Sequence, residues 1–169
     1  PSVVIELRRP PELADESLWI DVVNAEGQSI GEHDSSPDGD TLTVFDLPPG
    51  PFTVTAVTWP SEPGLFALAS ATGSVPDGDS AAPVVIDLTA PLLELQLGVA
   101  ESVKFFVEPA DASHATAPWN ESMEFSSDAL GRFRLFGLAP GAYVVSCSAR
   151  PGVTRSVTVG SEPARVRFD

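Results

Sequence analysis

Positive charge is the scarcest property of this sequence. Nine Lys and Arg stand against 24 Asp and Glu, for a net charge of −15, and Lys104 is the single lysine. Such a balance excludes nucleic acid as a partner, because that binding relies on basic side chains neutralising phosphates. It excludes an anionic membrane surface for the same reason. Cysteine is nearly absent too: Cys147 stands alone, so no intramolecular disulfide can form and the thiol content does not report the compartment. No apolar run approaches the ~20 residues needed to cross a bilayer as a helix, so membrane insertion is not expected. No secretory signal is visible, and the chain opens at Pro1 without Met, as expected of a processed product or an excised piece of a longer protein. Sustained helical periodicity is missing as well.

What is present is punctuation and short apolar runs. The 17 prolines and 13 glycines are dispersed between them, and 43% hydrophobic residues supply enough apolar surface to offset the entropy of ordering. Alternation with period 2 predicts strands at 2–8, 17–23, 41–47, 52–59, 65–70 and 84–88. A second series follows at 92–97, 102–107, 123–126, 132–138, 142–149, 154–159 and 165–168. Short strands with frequent turns predict an all-β chain of two tandem small antiparallel β-sandwiches, Ig-like or prealbumin-like, with about seven strands each.

The two series align with one another. Placing 43–60 (TVFDLPPGPFTVTAVTWP) over 134–151 (RLFGLAPGAYVVSCSARP) sets Phe45 on Phe136, Leu47 on Leu138, Gly50 on Gly141 and Phe52 on Tyr143. We therefore expect a duplication, with domains at 1–90 and 91–169. Pro49 and Pro140 fix φ early in a turn, and Gly50 and Gly141 accept the positive φ that follows. Parity then places Phe52, Val54 and Ala56 in one core and Tyr143, Val145 and Cys147 in the other. Cys147 reads as a small buried hydrophobe rather than a reactive thiol.

Within 127–145 (SDALGRFRLFGLAPGAYVV), Asp128, Gly131 and Phe133 precede a strand, and Leu138, Pro140, Gly141 and Tyr143 precede the next. This pattern resembles the carboxypeptidase regulatory-like repeat, a transthyretin-like (prealbumin-like) sandwich. The first unit keeps 47–52 (LPPGPF), but 37–40 (PDGD) replaces the Asp-x-x-Gly turn. The resemblance implies an accessory module beside peptidases, in surface proteins or in extensions of outer-membrane transporters, which points to an extracytoplasmic location.

The residues that could carry chemistry are few. His33 and His114 fall in different units on polar stretches outside any nucleophile motif, so we expect no enzyme. Lys104 would be the only donor for the Lys–Asn isopeptide staple of related surface sandwiches, and parity turns it outward. Asp34, Asp38 and Asp40 supply the hard oxygen ligands suited to Ca²⁺, yet Pro-Asp-Gly is equally a tight-turn sequence, and both readings stand. No other cofactor is implied. Trp19 and Trp59 face outward by parity, where they can stack on a carbohydrate or pack against a neighbouring unit or chain.

The expectation for function is a non-catalytic structural or protein-interaction module. It would act as a spacer or assembly element of a larger protein or complex, with a protein partner or the remainder of a longer chain. The alternative is a carbohydrate-binding accessory module working through Trp19 and Trp59.

Overall fold

A computed structural model describes residues 1–31, 39–59, 62–89, 92–111, 113, 119 and 121–169. The described residues contain thirteen strands and one 3-10 turn at Pro11–Leu13. The fold is all-β, as the alternation predicts. Two compact units divide the chain. The first is Pro1–Pro60 with Leu68–Leu88, and the second is Ser61–Ala67 with Thr89–Asp169.

In the first unit, β1 (Ser2–Arg8) lies between β3 (Thr41–Phe45), antiparallel to it, and β6 (Val84–Asp87), parallel to it. The facing sheet sets β4 (Gly50–Thr58) between β2 (Leu18–Asn24) and the Leu68–Val75 portion of β5 (Leu65–Val75), all antiparallel. A parallel pair needs a long connection. Here the parallel pair joins the first and last strands of the unit, so the chain closes its own sheet. The inward faces carry Val3, Ile5, Leu7, Ile20, Val22, Val44, Val54 and Ile86, all buried. Strict alternation follows from the pleat, which turns successive side chains to opposite faces.

Phe52 meets Gly73 across the β4–β5 ladder, and a Cβ built on Gly73 would lie 2.4 Å from the Phe52 ring. The glycine is thus the space the ring occupies. Gly50 has φ +123, which lets the 47–50 turn feed straight into β4.

The second unit repeats this pairing. β7 (Leu92–Leu97) runs antiparallel to β10 (Arg132–Phe136) and parallel to β13 (Ala164–Phe168). β11 (Gly141–Cys147) lies between β8 (Lys104–Pro109) and β12 (Thr154–Val159), antiparallel to both. Two features are additional. β9 (Met123–Ser126) extends the second sheet along β8, where the described residues of the first unit show the Val23–Ser29 bridge. Leu65–Ala67, the opening of β5, adds parallel to β10 at Arg134–Phe136.

The second core is aromatic. Phe66 packs against Phe125 with ring centres 5.2 Å apart and against Trp119 at 6.3 Å, and Phe125 stacks on Phe133 at 4.9 Å. Trp119 is buried and its indole Nε1 donates to the Gly137 carbonyl at 3.1 Å, satisfying the one polar atom of the ring. Tyr143, Val145 and Cys147 are buried on β11, and Phe52 is buried on β4.

Candidate functional site

The sequence separates surface from core by parity, and strand pairing brings particular outward side chains together. On β2, Leu18, Ile20 and Val22 are buried and Trp19 is 48% exposed. Trp19 pairs with Val57 of β4, and Trp59, 64% exposed, follows on the same parity as Val57. The Trp59 amide donates to the Ser17 carbonyl at 3.0 Å, which extends the ladder past β4. The two indoles therefore occupy diagonal positions on one outer face, a spacing of roughly 7–8 Å between backbones in an antiparallel pair. Two amphipathic rings on one face can cover a flat apolar ligand or a partner's side chains.

Of the acidic candidates, Asp40 falls among the described residues. Asp34 and Asp38 lie outside the described residues, as do His33 and His114. Asp40 sits 2.9 Å from Arg9 Nε, a charge contact outside hydrogen-bond alignment. Arg9 itself donates through its two Nη atoms to the carbonyls of Glu16 at 3.0 Å and Gly39 at 2.6 Å. Asp40 thus helps hold the start of β3. Among the described residues, no three His, Cys, Asp or Glu side chains come together as a metal-binding group. At 76–79, the second Pro-Asp-Gly-Asp sequence forms a turn in which the Asp79 amide donates to the Pro76 carbonyl, with Gly78 at φ +75.

The turn residues of the second unit form a small polar device. Asp128 Oδ1 accepts from the amides of Leu130 and Arg132, each at 2.9 Å, and Oδ2 lies 3.1 Å from Arg132 Nε. Burial acts to raise this carboxyl, but the two amides and the guanidinium outweigh it and hold the group below its ordinary 3.8. Gly131 takes φ +72, and a Cβ there would lie 3.0 Å from both Leu97 Cβ and the Val99 carbonyl. Ser127, beside it, is buried; its Oγ accepts from the Val103 amide at 2.8 Å and donates to the Asp128 carbonyl at 2.9 Å. After Pro140 and Gly141, the Tyr143 hydroxyl donates to the Ala139 carbonyl at 2.6 Å, and burial pushes that hydroxyl above its usual 10.0. These groups shape loops.

Lys104 is exposed and its Nζ meets Glu124 Oε1 at 2.5 Å, an ion pair across β8 and β9. Two features escaped sequence reasoning. The first is the insertion of Phe66 into the second unit's core, for which the local sequence carries no signal. The second is an arginine face: Arg132 and Arg134 on β10, with Arg165 and Arg167 on β13, all exposed on one side of their sheet. The spacing Arg-x-Arg, twice, was the available signal.

No protein-family model matches the chain, and no curated protein matches it by sequence. Solved structures do resemble it. A streptococcal ancillary pilin shares 17% identity over 98% of this chain and 61% of its own, with a TM-score of 0.35. The minor pilin of Streptococcus agalactiae shares 13% over 99% and 94%, at 0.35. A fimbrial assembly protein from Parabacteroides distasonis shares 12% over 99% and 90%, at 0.40. The chain spans 61% of the ancillary pilin and 32% of the Bacillus anthracis TIE protein, another of these likenesses.

Proposed function

We propose that this chain is a non-catalytic structural and protein-interaction element, a spacer or assembly unit of a larger protein outside the cytoplasm. It consists of two tandem copies of a carboxypeptidase regulatory-like, transthyretin-like sandwich. The observation that carries this reading is the shared strand plan. Each unit pairs its first strand antiparallel to its third and parallel to its last, and sets its hairpin strand between two antiparallel neighbours (β9 is left out of that count). Repetition of a self-closing unit suits an element whose task is geometric. The copies divide near Ala90–Pro91, with Ser61–Ala67 as an excursion of the first copy's β4–β5 hairpin that serves the second. Its partner is another protein or the rest of a longer chain, and no cofactor enters the reading.

A second reading rests on one specific observation, the exposure of Trp19 and Trp59 on a single face. Two rings so placed suit a carbohydrate. A glycan array probed with the chain and with the double variant Trp19→Ser/Trp59→Ser separates the two. The structural reading expects no Trp-dependent glycan signal. A signal present in the chain and lost in the variant, at unchanged melting temperature, overturns it in favour of the carbohydrate module.

A further inference from the structure

Charge is divided unevenly between the units. The first holds fourteen Asp and Glu against Arg8 and Arg9, and the second holds ten against seven Lys and Arg. Four of those seven share one sheet face. Register sets Arg165 beside Glu94 and Glu94 beside Arg134, and one row along sets Arg167 beside Gln96 and Gln96 beside Arg132. Neighbouring strands lie ~4.8 Å apart and same-face residues ~6.7 Å apart, so the four arginines mark a rectangle of roughly 10 by 7 Å. An open groove of about 720 Å³ runs over this face, past Leu65, Glu94 and Gln96.

At three of these arginines an acid is already present without exhausting the donors. Arg165 Nε meets Glu94, Arg132 Nε lies 3.1 Å from Asp128 and Arg167 Nε lies 2.7 Å from Asp169. A guanidinium carries five N–H donors in a planar fork, and a carboxylate at Nε engages only part of it. Arg165 and Arg167 are the more exposed of these side chains, at 80% and 61%.

We infer that this face binds the acidic first unit of a second copy, a head-to-tail contact that deepens the assembly reading and rests on it. The occupant is chosen by charge complementarity. The chain's own first unit is strongly anionic, and a face that differs from its target makes a heterologous contact, which propagates or closes a ring. Both copies carry net negative charge, so the contact needs enough salt to screen charges lying more than ~10 Å apart, as at 0.1 M. Contacts at 3–4 Å persist there and are lost toward 1 M, where the screening length is ~3 Å.

The test is sedimentation velocity of the chain from micromolar to millimolar concentration, at 0.15 M and 1 M NaCl, beside the variant Arg132→Glu/Arg134→Glu/Arg165→Glu/Arg167→Glu. The chain should grow beyond its 17.7 kDa monomer at 0.15 M, with association weakened roughly tenfold or more at 1 M. The variant should stay monomeric by itself yet still dock on the unmodified chain, since its first unit is intact; that docking also reports that it folds. Arg165→Gln/Arg167→Gln, a milder change, should weaken self-association without abolishing it. A chain that remains monomeric at 0.15 M and 1 mM overturns the inference, as does association unaffected by the arginine changes. A monomeric chain retained on polyglutamate or a sulfated matrix through the same arginines overturns the second copy in favour of a foreign polyanion. None of these outcomes depends on Trp19 or Trp59, so Trp-dependent glycan binding, which would sink the structural reading, is scored separately.

Discussion

The two units pair their strands alike and differ in what surrounds one equivalent residue. Phe45 ends β3 and Phe136 ends β10, each followed by a Leu-x-Pro-Gly turn. Phe45 is 55% exposed and Phe136 is 2% exposed. β3 is an edge strand whose described ladder partner is β1, whereas Phe136 has Leu92 of β7 on one side and Ala67 of β5 on the other. A similar local sequence therefore acts as surface in one unit and as core in the other. Burial is decided by neighbours, and neighbours come from distant parts of the chain.

The largest effect expected from breaking this comparison is in the paired truncations. Phe136→Ala should cost about 3–5 kcal/mol, the range for removing a buried aromatic, while Phe45→Ala should stay within about 0.5 kcal/mol. Urea unfolding of both variants measures the difference, and equal costs would mean that the two positions are packed alike. Gly73→Ala comes next. The added Cβ would collide with the Phe52 ring, an overpacking worth about 1–3 kcal/mol by the same measurement. Tyr143 of the second unit faces Val157 rather than a glycine, so the ring-over-glycine device belongs to the first unit alone.

Tyr143→Phe sharpens the contrast with Phe52, which occupies the equivalent place without a hydroxyl. Losing the bond to the Ala139 carbonyl should cost about 0.5–1.5 kcal/mol. Because burial raises this hydroxyl's pKa, the folded chain favours the neutral form. Its contribution is present below pH 10 and is lost as pH rises beyond it, and the Phe variant should lack that alkaline decline.

The smallest effect is at Asp128, whose turn the first unit does not share. Its folded pKa lies below the ordinary value, so its contribution is complete above about pH 4 and is lost as pH falls through the folded value. Asp128→Asn should remove that acid-limb dependence, read from melting temperature between pH 2 and 6. An unchanged acid limb would mean that the Asp128 turn makes no pH-dependent contribution.

Much of the fold was legible because β-structure writes itself locally. Alternation such as Leu18-Trp19-Ile20-Asp21-Val22 declares a half-buried strand, and all thirteen strands overlap the segments that alternation predicts. Ends shifted by a residue or two, as at β8, which starts at Lys104 rather than Ser102, because ladder pairing and not composition ends a strand. β5 runs on to Val75 because Gly73 and Ser74 pair with Phe52 and Pro51, although neither favours a strand by itself. At the surface, parity alone was enough to turn Trp19 outward and would have turned all four arginines outward too. It could not say that β10 and β13 flank the same strand, which is what gathers those arginines.

By itself, then, the sequence determined the all-β class, the strand positions and the face each side chain takes, because pleat and turn chemistry act over a few residues. Tertiary structure alone decided that Leu65–Ala67 lies beside β10, that Phe66 joins Phe125 and Trp119, and that Phe136 is buried while Phe45 is not. Each of those depends on pairing between segments far apart in the chain. Many pairings satisfy the same local alternation, and only the packing of the whole unit selects among them.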